Sequence, residues 1–191
     1  MTALQPLHRI SGRFWRATAA ERVGQVLDPP GPDSAGRYHR PEQPALYITP
    51  EADWAAIAIG RYMLADGIAR VVVPLELDGA TVFDQRDLAA CAALGIDPAL
   101  SQVRWDAELA AGREPPSWAA SDAARAAGAQ GIIDVSRGIA GGWHVCLFDW
   151  NQPGAPQVRV AGDPMACDYW PARDRWAAPA GWALPEHLAR R

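Results

Sequence analysis

The sequence predicts a single α+β domain, and three observations point to it. Short β-rich runs recur along the whole chain, at residues 13–17, 45–48, 71–77, 81–84, 131–136, 143–148 and 157–160. A few capped helical stretches stand among them, with loop between. At 191 residues and 49% hydrophobic content, the chain is long enough for one sizeable core and too short for two comfortable ones.

Arg13-Phe14-Trp15-Arg16-Ala17 is short and aromatic and predicts a strand with Arg16 near its end; residues 1–12 read as an extension ahead of the domain, which spans 13–160. Three prolines and two glycines between Asp28 and Gly36 exclude regular structure there. That loop delivers the chain to Arg37-Tyr38-His39-Arg40-Pro41, the densest cluster of ligand-capable side chains in the sequence. Ala45-Leu46-Tyr47-Ile48 predicts a second strand. Thr49-Pro50-Glu51 then has the pattern of a helix start: a threonine cap, proline at the first helical position and an acid in the first turn. The helix is expected from Pro50 to about Asp66, with Trp54, Ile57, Ala58, Leu64 and Ala65 near one face and Gly67 as its stop.

Val71–Leu77 is rich in β-branched residues, with Pro74 marking an edge or bulge, and Thr81–Asp84 predicts a further short strand. A helix is expected over Asp87–Leu94, a loop around Arg113–Pro116, and a second capped helix in which Ser121 precedes Asp122–Ala127 and Gly128 ends it. Gly131–Ser136 and Trp143–Phe148 predict strands joined by the glycine-rich turn at 138–142, and Gln157–Val160 predicts another. Residues 161–191, rich in tryptophan and proline, read as an irregular tail packed on the domain, with a short helix near Leu184–Arg190.

Composition excludes several classes of function. A net charge of −4 argues against broad electrostatic binding to nucleic acid or to an anionic membrane, because such binding needs surplus positive charge to displace counterions. All 18 positive side chains are arginine. Without lysine there is no Schiff-base chemistry and no Walker-type phosphate loop, so an anionic substrate must be held by arginine, backbone amides or a helix start. The three cysteines, Cys91, Cys146 and Cys167, are widely spaced and give neither a zinc pattern nor a disulfide framework. The start of the chain lacks the apolar core of a signal peptide, and no stretch approaches the roughly 18 apolar residues of a membrane span, so a cytoplasmic protein is expected. The metalloprotease, serine-hydrolase and dinucleotide fingerprints are absent, and the four scattered histidines give no ligand spacing, so no metal is expected.

One ordered set of residues does carry chemistry: Arg16 at the end of the first strand, Gly36-Arg37-Tyr38 in the loop, Tyr47 in the strand that leads to the capped helix, then Ser136-Arg137 ending a late strand and Phe148 ending the next. This order resembles the RES-domain family, named for its arginine, glutamate and serine, with Gly36-Arg37-Tyr38 standing for the family's Gly-Arg-Trp; the resemblance covers about residues 13–160. It implies a fold like that of ADP-ribosyltransferases and a cytoplasmic toxin that attacks NAD⁺, either degrading it or transferring its ADP-ribose to a host protein. It also implies an antitoxin partner with a helix-turn-helix part and a part that blocks the site.

Cleaving the nicotinamide–ribose bond builds positive charge on the sugar, so such a site needs a grip on the pyrophosphate, an aromatic wall for nicotinamide and a nearby carboxylate. On the resemblance, Arg37 and then Arg16 are candidates for the phosphates, because a guanidinium fork meets phosphate oxygens two at a time. Tyr47, with Tyr38 beside it, is the candidate wall, and Ser136 the donor to the ribose or the brace of Arg16. The family glutamate lies about three helical turns after the tyrosine, which falls here on Ala58 and its neighbours Ile57 and Ile59. Glu51, on the same predicted face but about 10 Å nearer the strand, is the first substitute, with Asp84 and Asp134 also open. A pocket lacking the ribose-binding acid favours slow transfer to a good nucleophile over rapid hydrolysis or phosphorolysis. Two rival readings remain: a metal-independent ribonuclease toxin with His39 as general base, and a nucleotide-binding module that has lost catalysis.

Overall fold

Val71, Val72 and Val73 open a strand longer than its composition predicts. In the computed structural model, which describes residues 6–167, β3 runs unbroken from Arg70 to Asp84, through both Pro74 and Gly79. β1, Leu7–Ala19, lies antiparallel along one side of β3 from Leu7 opposite Phe83 to Ala19 opposite Arg70. On the other side β6, Gln157–Val160, pairs with Leu75–Asp78, and β7, Met165–Ala166, pairs with Val71 and Val72. Pro74 falls in the gap between these two pairings. Its carbonyl accepts the Ala161 N–H at 2.9 Å, and an N–H at this residue would point the same way, into the gap, so its absence breaks no ladder bond. The bulge lies instead on β1, between Ile10 and Gly12, where Gly12 takes φ +126° and the Ser11 hydroxyl accepts the Gly79 N–H at 2.9 Å.

β4, Gly131–Val135, runs parallel to the end of β3, and β5, Trp143–Leu147, returns antiparallel beside it. β2, Leu46–Ile48, pairs with β5, giving the sheet order β1-β3-β4-β5-β2. The two ends of this path meet, because Trp15 N–H donates to Thr49 O at 2.8 Å and Thr49 N–H to Trp15 O at 2.9 Å. The sheet therefore curls back on itself. Alternate residues fill opposite faces: Val73, Leu75 and Leu77 pack with Phe14, Leu46 and Leu147, while Val72 turns to Trp54 and Ile57 and Phe83 turns to Ile132 and Cys146. The result is the expected α+β domain, a seven-stranded sheet with a few helices.

The helices depart from expectation where tertiary contacts outweigh local pattern. α1 spans Ala52–Asp66 and begins after Thr49-Pro50-Glu51, not within it. Thr49 is no cap: its hydroxyl donates to Glu51 O at 2.8 Å while its backbone is pinned to Trp15. Of the expected apolar face, Trp54 and Ile57 are buried, Ala58 is exposed, and Leu64 and Ala65 lie, for their side chains, outside what is described. α2, Leu88–Ala93, lies within the expected range, with Asp87 ahead of it as the cap, accepting the Ala89 and Ala90 N–H groups at 2.9 and 3.1 Å. A 3₁₀ turn at Pro98–Gln102 and α3 at Trp105–Ala110 are additional. α4 runs Ser117–Ala126, and Ser121 is not its cap but a buried interior residue donating to Trp118 O at 2.9 Å. Pro115-Pro116 set its start, and Gly128, at φ +86°, follows its end. The helix expected near Leu184–Arg190 lies outside the described residues.

Candidate functional site

The curl of the sheet leaves a cavity of about 740 Å³, within the roughly 300–1,000 Å³ of small-molecule sites. Trp15 and Arg16 of β1 and Tyr47 of β2 form part of its wall, and the loop Gly36–His39 closes one side. Ala58 and Tyr62 of α1 line another side, Arg104 and Trp105 stand at the start of α3, and Asp134, Ser136 and His144 complete the ring from β4 and β5. The cavity thus gathers Arg16, Arg37, Tyr38, Tyr47 and Ser136 from distant stretches of sequence, together with Ala58. Glu51 is not among the lining residues. It sits ahead of the first turn of α1, so it does not occupy the place that the resemblance gives to an acid; Asp84, ion-paired with Arg86 at 2.7 Å, does not line the cavity either.

The two arginines differ in state. Arg37 is buried, ion-paired with Asp134, and donates through Nε to Ser101 O at 2.8 Å and through Nη1 to Val135 O at 3.4 Å. A buried network extends this brace: the Tyr38 hydroxyl donates to Gln85 Oε1 at 3.2 Å, and Gln85 Nε2 donates to Ser101 Oγ at 2.7 Å. The Arg37 fork is therefore engaged with protein, holding the loop to β4 and to the 3₁₀ turn. Arg16, in contrast, carries a buried Nη1 with no hydrogen-bond partner among the described residues, and burial pulls its pKa down to about 10. A desolvated cation facing a cavity is complementary to an anion.

Tyr38 is a core residue, 2% exposed, with its phenol spent on Gln85. Tyr47 is half-buried; its hydroxyl accepts the Tyr38 N–H at 3.0 Å, and burial raises its pKa well above the usual phenol value. Ser136 makes a turn: its N–H donates to Gly142 O at 2.7 Å and its Oγ accepts the Gly138 N–H at 3.2 Å. His39 and His144 are both held near pKa 4, by burial first and by neighbouring arginines second. Asp134 is pushed up to about 6 by burial, against the pull of Arg37.

Sequence reasoning named Asp134 only as one possible acid and missed its role as the partner of Arg37. The signal was present: an ionisable residue inside the apolar run Ile132-Ile133-Asp134-Val135 must be paired once the strand is buried. Gln85, Ser101 and His144 gave no comparable sign. Among the described residues, no group of three or more His, Cys, Asp or Glu side chains could hold a metal ion, and no helix is long and apolar enough to cross a membrane.

A family model described as "RES domain" matches residues 6–173. No curated protein matches the sequence. Among solved structures the chain is similar to one described as the crystal structure of the M. tuberculosis MbcT–MbcA toxin–antitoxin complex. The TM-score is 0.55 with 18% identity, covering 84% of this chain and 86% of that chain, a likeness of fold.

Proposed function

This chain belongs to the RES-domain family, and from that premise we propose that it is the NAD⁺-consuming toxin of a toxin–antitoxin pair, acting in the cytoplasm by transfer of ADP-ribose to a host protein. The observation that carries this reading is Arg16: it lines a cavity large enough for a nucleotide and carries a buried guanidinium nitrogen with no partner among the described residues. It takes over the phosphate-holding role that the sequence resemblance gave first to Arg37, which instead fixes the loop in place through Asp134. Tyr47 offers the aromatic surface for nicotinamide, and Ser136, which follows the end of β4 and lines the cavity, is the donor proposed for the ribose.

As the glycosidic bond breaks, charge on the ribose needs stabilisation. Ala58 provides none, and Asp134 has Arg37 as its counter-ion, so the reaction is slow and depends on a good nucleophile. A helix-turn-helix antitoxin that covers the cavity mouth is the proposed partner, in keeping with the toxin–antitoxin complex whose fold this chain shares. A second reading, nucleotide binding without turnover, is favoured by the same alanine at position 58.

Purified protein given NAD⁺, alone and with a cell extract as source of acceptor, should release nicotinamide, and Arg16→Ala should abolish both binding and release. NAD⁺ binding without release in either setting would select the second reading. Absence of binding would sink both.

A further inference from the structure

The loop that carries Arg37 also carries a histidine that the proposed chemistry does not use. His39 is 4% exposed, lines the cavity, and places its Nδ1 3.0 Å from Tyr47 Oη. The same oxygen accepts the Tyr38 N–H at 3.0 Å, so the phenol is held at two points along the loop. The two rings lie 5.7 Å apart at 55°, and meet at the hydroxyl without stacking. Gly36 closes the third side: a Cβ there would fall 2.3 Å from His39 Cε1, 2.7 Å from Nδ1 and 2.9 Å from Tyr47 Oη. Gly36 is itself fixed, its N–H donating to His39 O at 3.0 Å and its carbonyl accepting Trp118 Nε1–H at 2.8 Å.

We infer that His39 is a positioning residue for Tyr47: its imidazole holds the phenol hydroxyl against the loop backbone, so that the ring itself is presented to a planar ligand in the cavity. The inference rests on the NAD⁺ reading and deepens it by naming what sets the wall for the nicotinamide ring. The groups around the pair keep this bond unchanged through the neutral range. Arg125 of α4, whose guanidinium donates to Tyr38 O at 3.3 Å, opposes protonation of the imidazole, and burial does so more strongly, lowering its pKa to about 4. Cys146, opposite Tyr47 on β5, has its thiol pushed up to about 12 and stays neutral as well.

The test is the affinity for NAD⁺ of the wild type, His39→Leu, His39→Asn, Tyr47→Phe and His39→Leu with Tyr47→Phe, with unfolding midpoints of the same set. Asparagine sets an amide close to where the imidazole Nδ1 stood, whereas leucine offers no polar atom. His39→Leu is expected to weaken NAD⁺ about tenfold and His39→Asn by less than about threefold, the scale of one hydrogen bond. In the Tyr47→Phe background, His39→Leu should weaken binding no further. An equal loss in both backgrounds, or no advantage of asparagine over leucine, overturns the inference. So does a measurement of the bond itself: the ¹⁵N resonance of His39 Nδ1 should shift when Tyr47→Phe removes the hydroxyl 3.0 Å away, and an unchanged resonance contradicts the pair. Coupled unfolding midpoints in a protein that does not bind NAD⁺ would sustain the positioning pair and overturn the NAD⁺ reading alone.

Discussion

Arg16 and Arg37 bring the same charge to the same cavity, and they differ in what compensates it. Arg37 has Asp134 as a counter-ion and carbonyl oxygens for its donors, whereas Arg16 Nη1 has no partner among the described residues. A buried pair adds little net stability, but removing one member strands the other and costs about 3–5 kcal/mol. Asp134→Ala is therefore expected to lower the unfolding free energy by about 3–5 kcal/mol, read from denaturant titration. Replacing both Arg37 and Asp134 by leucine should restore most of that loss; a double variant as unstable as the sum of the single ones would show that they do not act as a pair. At position 58, the exposed alanine faces the cavity where the family resemblance implies an acid. Ala58→Glu is expected to raise nicotinamide release by about tenfold or more, the scale of one well-placed electrostatic group, and an unchanged rate would remove α1 from the reaction. Arg16, Arg37, Tyr47 and Ser136, which the family resemblance groups, all line one cavity. The resemblance did not show that Arg37 would be consumed by a structural pair, because its partner lies on β4, far along the chain, and pairing is a property of the folded interior. Glu51 was counted onto the helix face from a start that the structure moves to Ala52, and it is not among the lining residues.

Among the elements, the loop from Gly36 to His39 leaves no room for a larger first residue. A methyl group on Gly36 meets the His39 ring and the Tyr47 hydroxyl at once. Gly36→Ala is accordingly expected to cost about 1–3 kcal/mol, the range for overpacking, and to weaken NAD⁺ binding as well. An unaltered melting temperature would mean that the loop yields without resistance. The caps show how far local pattern reaches. Gly128 was legible because nothing distant competes for it, whereas Asp87, expected inside its helix, is the cap ahead of it. Thr49 and Ser121 were not, since Thr49 is bonded across the sheet to Trp15 and the prolines ahead of Ser117 start α4 a turn before Ser121. Pro74 was legible as a ladder interruption but not as a residue inside a continuous strand, because the gap that tolerates it is made by β6 and β7, supplied by residues 157–166.

For the molecule as a whole, three buried titratable groups set the response to acid. His39 and His144 take up protons near pH 6.5 when unfolded but only near pH 4 when folded, so the stability they contribute is complete above about 6.5 and is lost as the pH falls towards 4. Asp134 has the opposite sign, since its raised pKa of about 6 favours the folded state at low pH and is lost as the pH rises through that value. Two groups outweigh one. The melting temperature is expected to fall between pH 7 and pH 5, and His39→Asn should make the fall shallower; a rise on acidification would contradict this assignment. The fold class was legible from the rhythm of short strands, but the closure of the sheet through Trp15 and Thr49 was not, and the cavity exists only because of that closure. The closure also has a consequence for biosynthesis. β2, which carries Tyr47, has β5 as its one ladder neighbour among the described residues, and β5 ends at Leu147. A chain still emerging from the ribosome therefore has no assembled site until translation has passed that point.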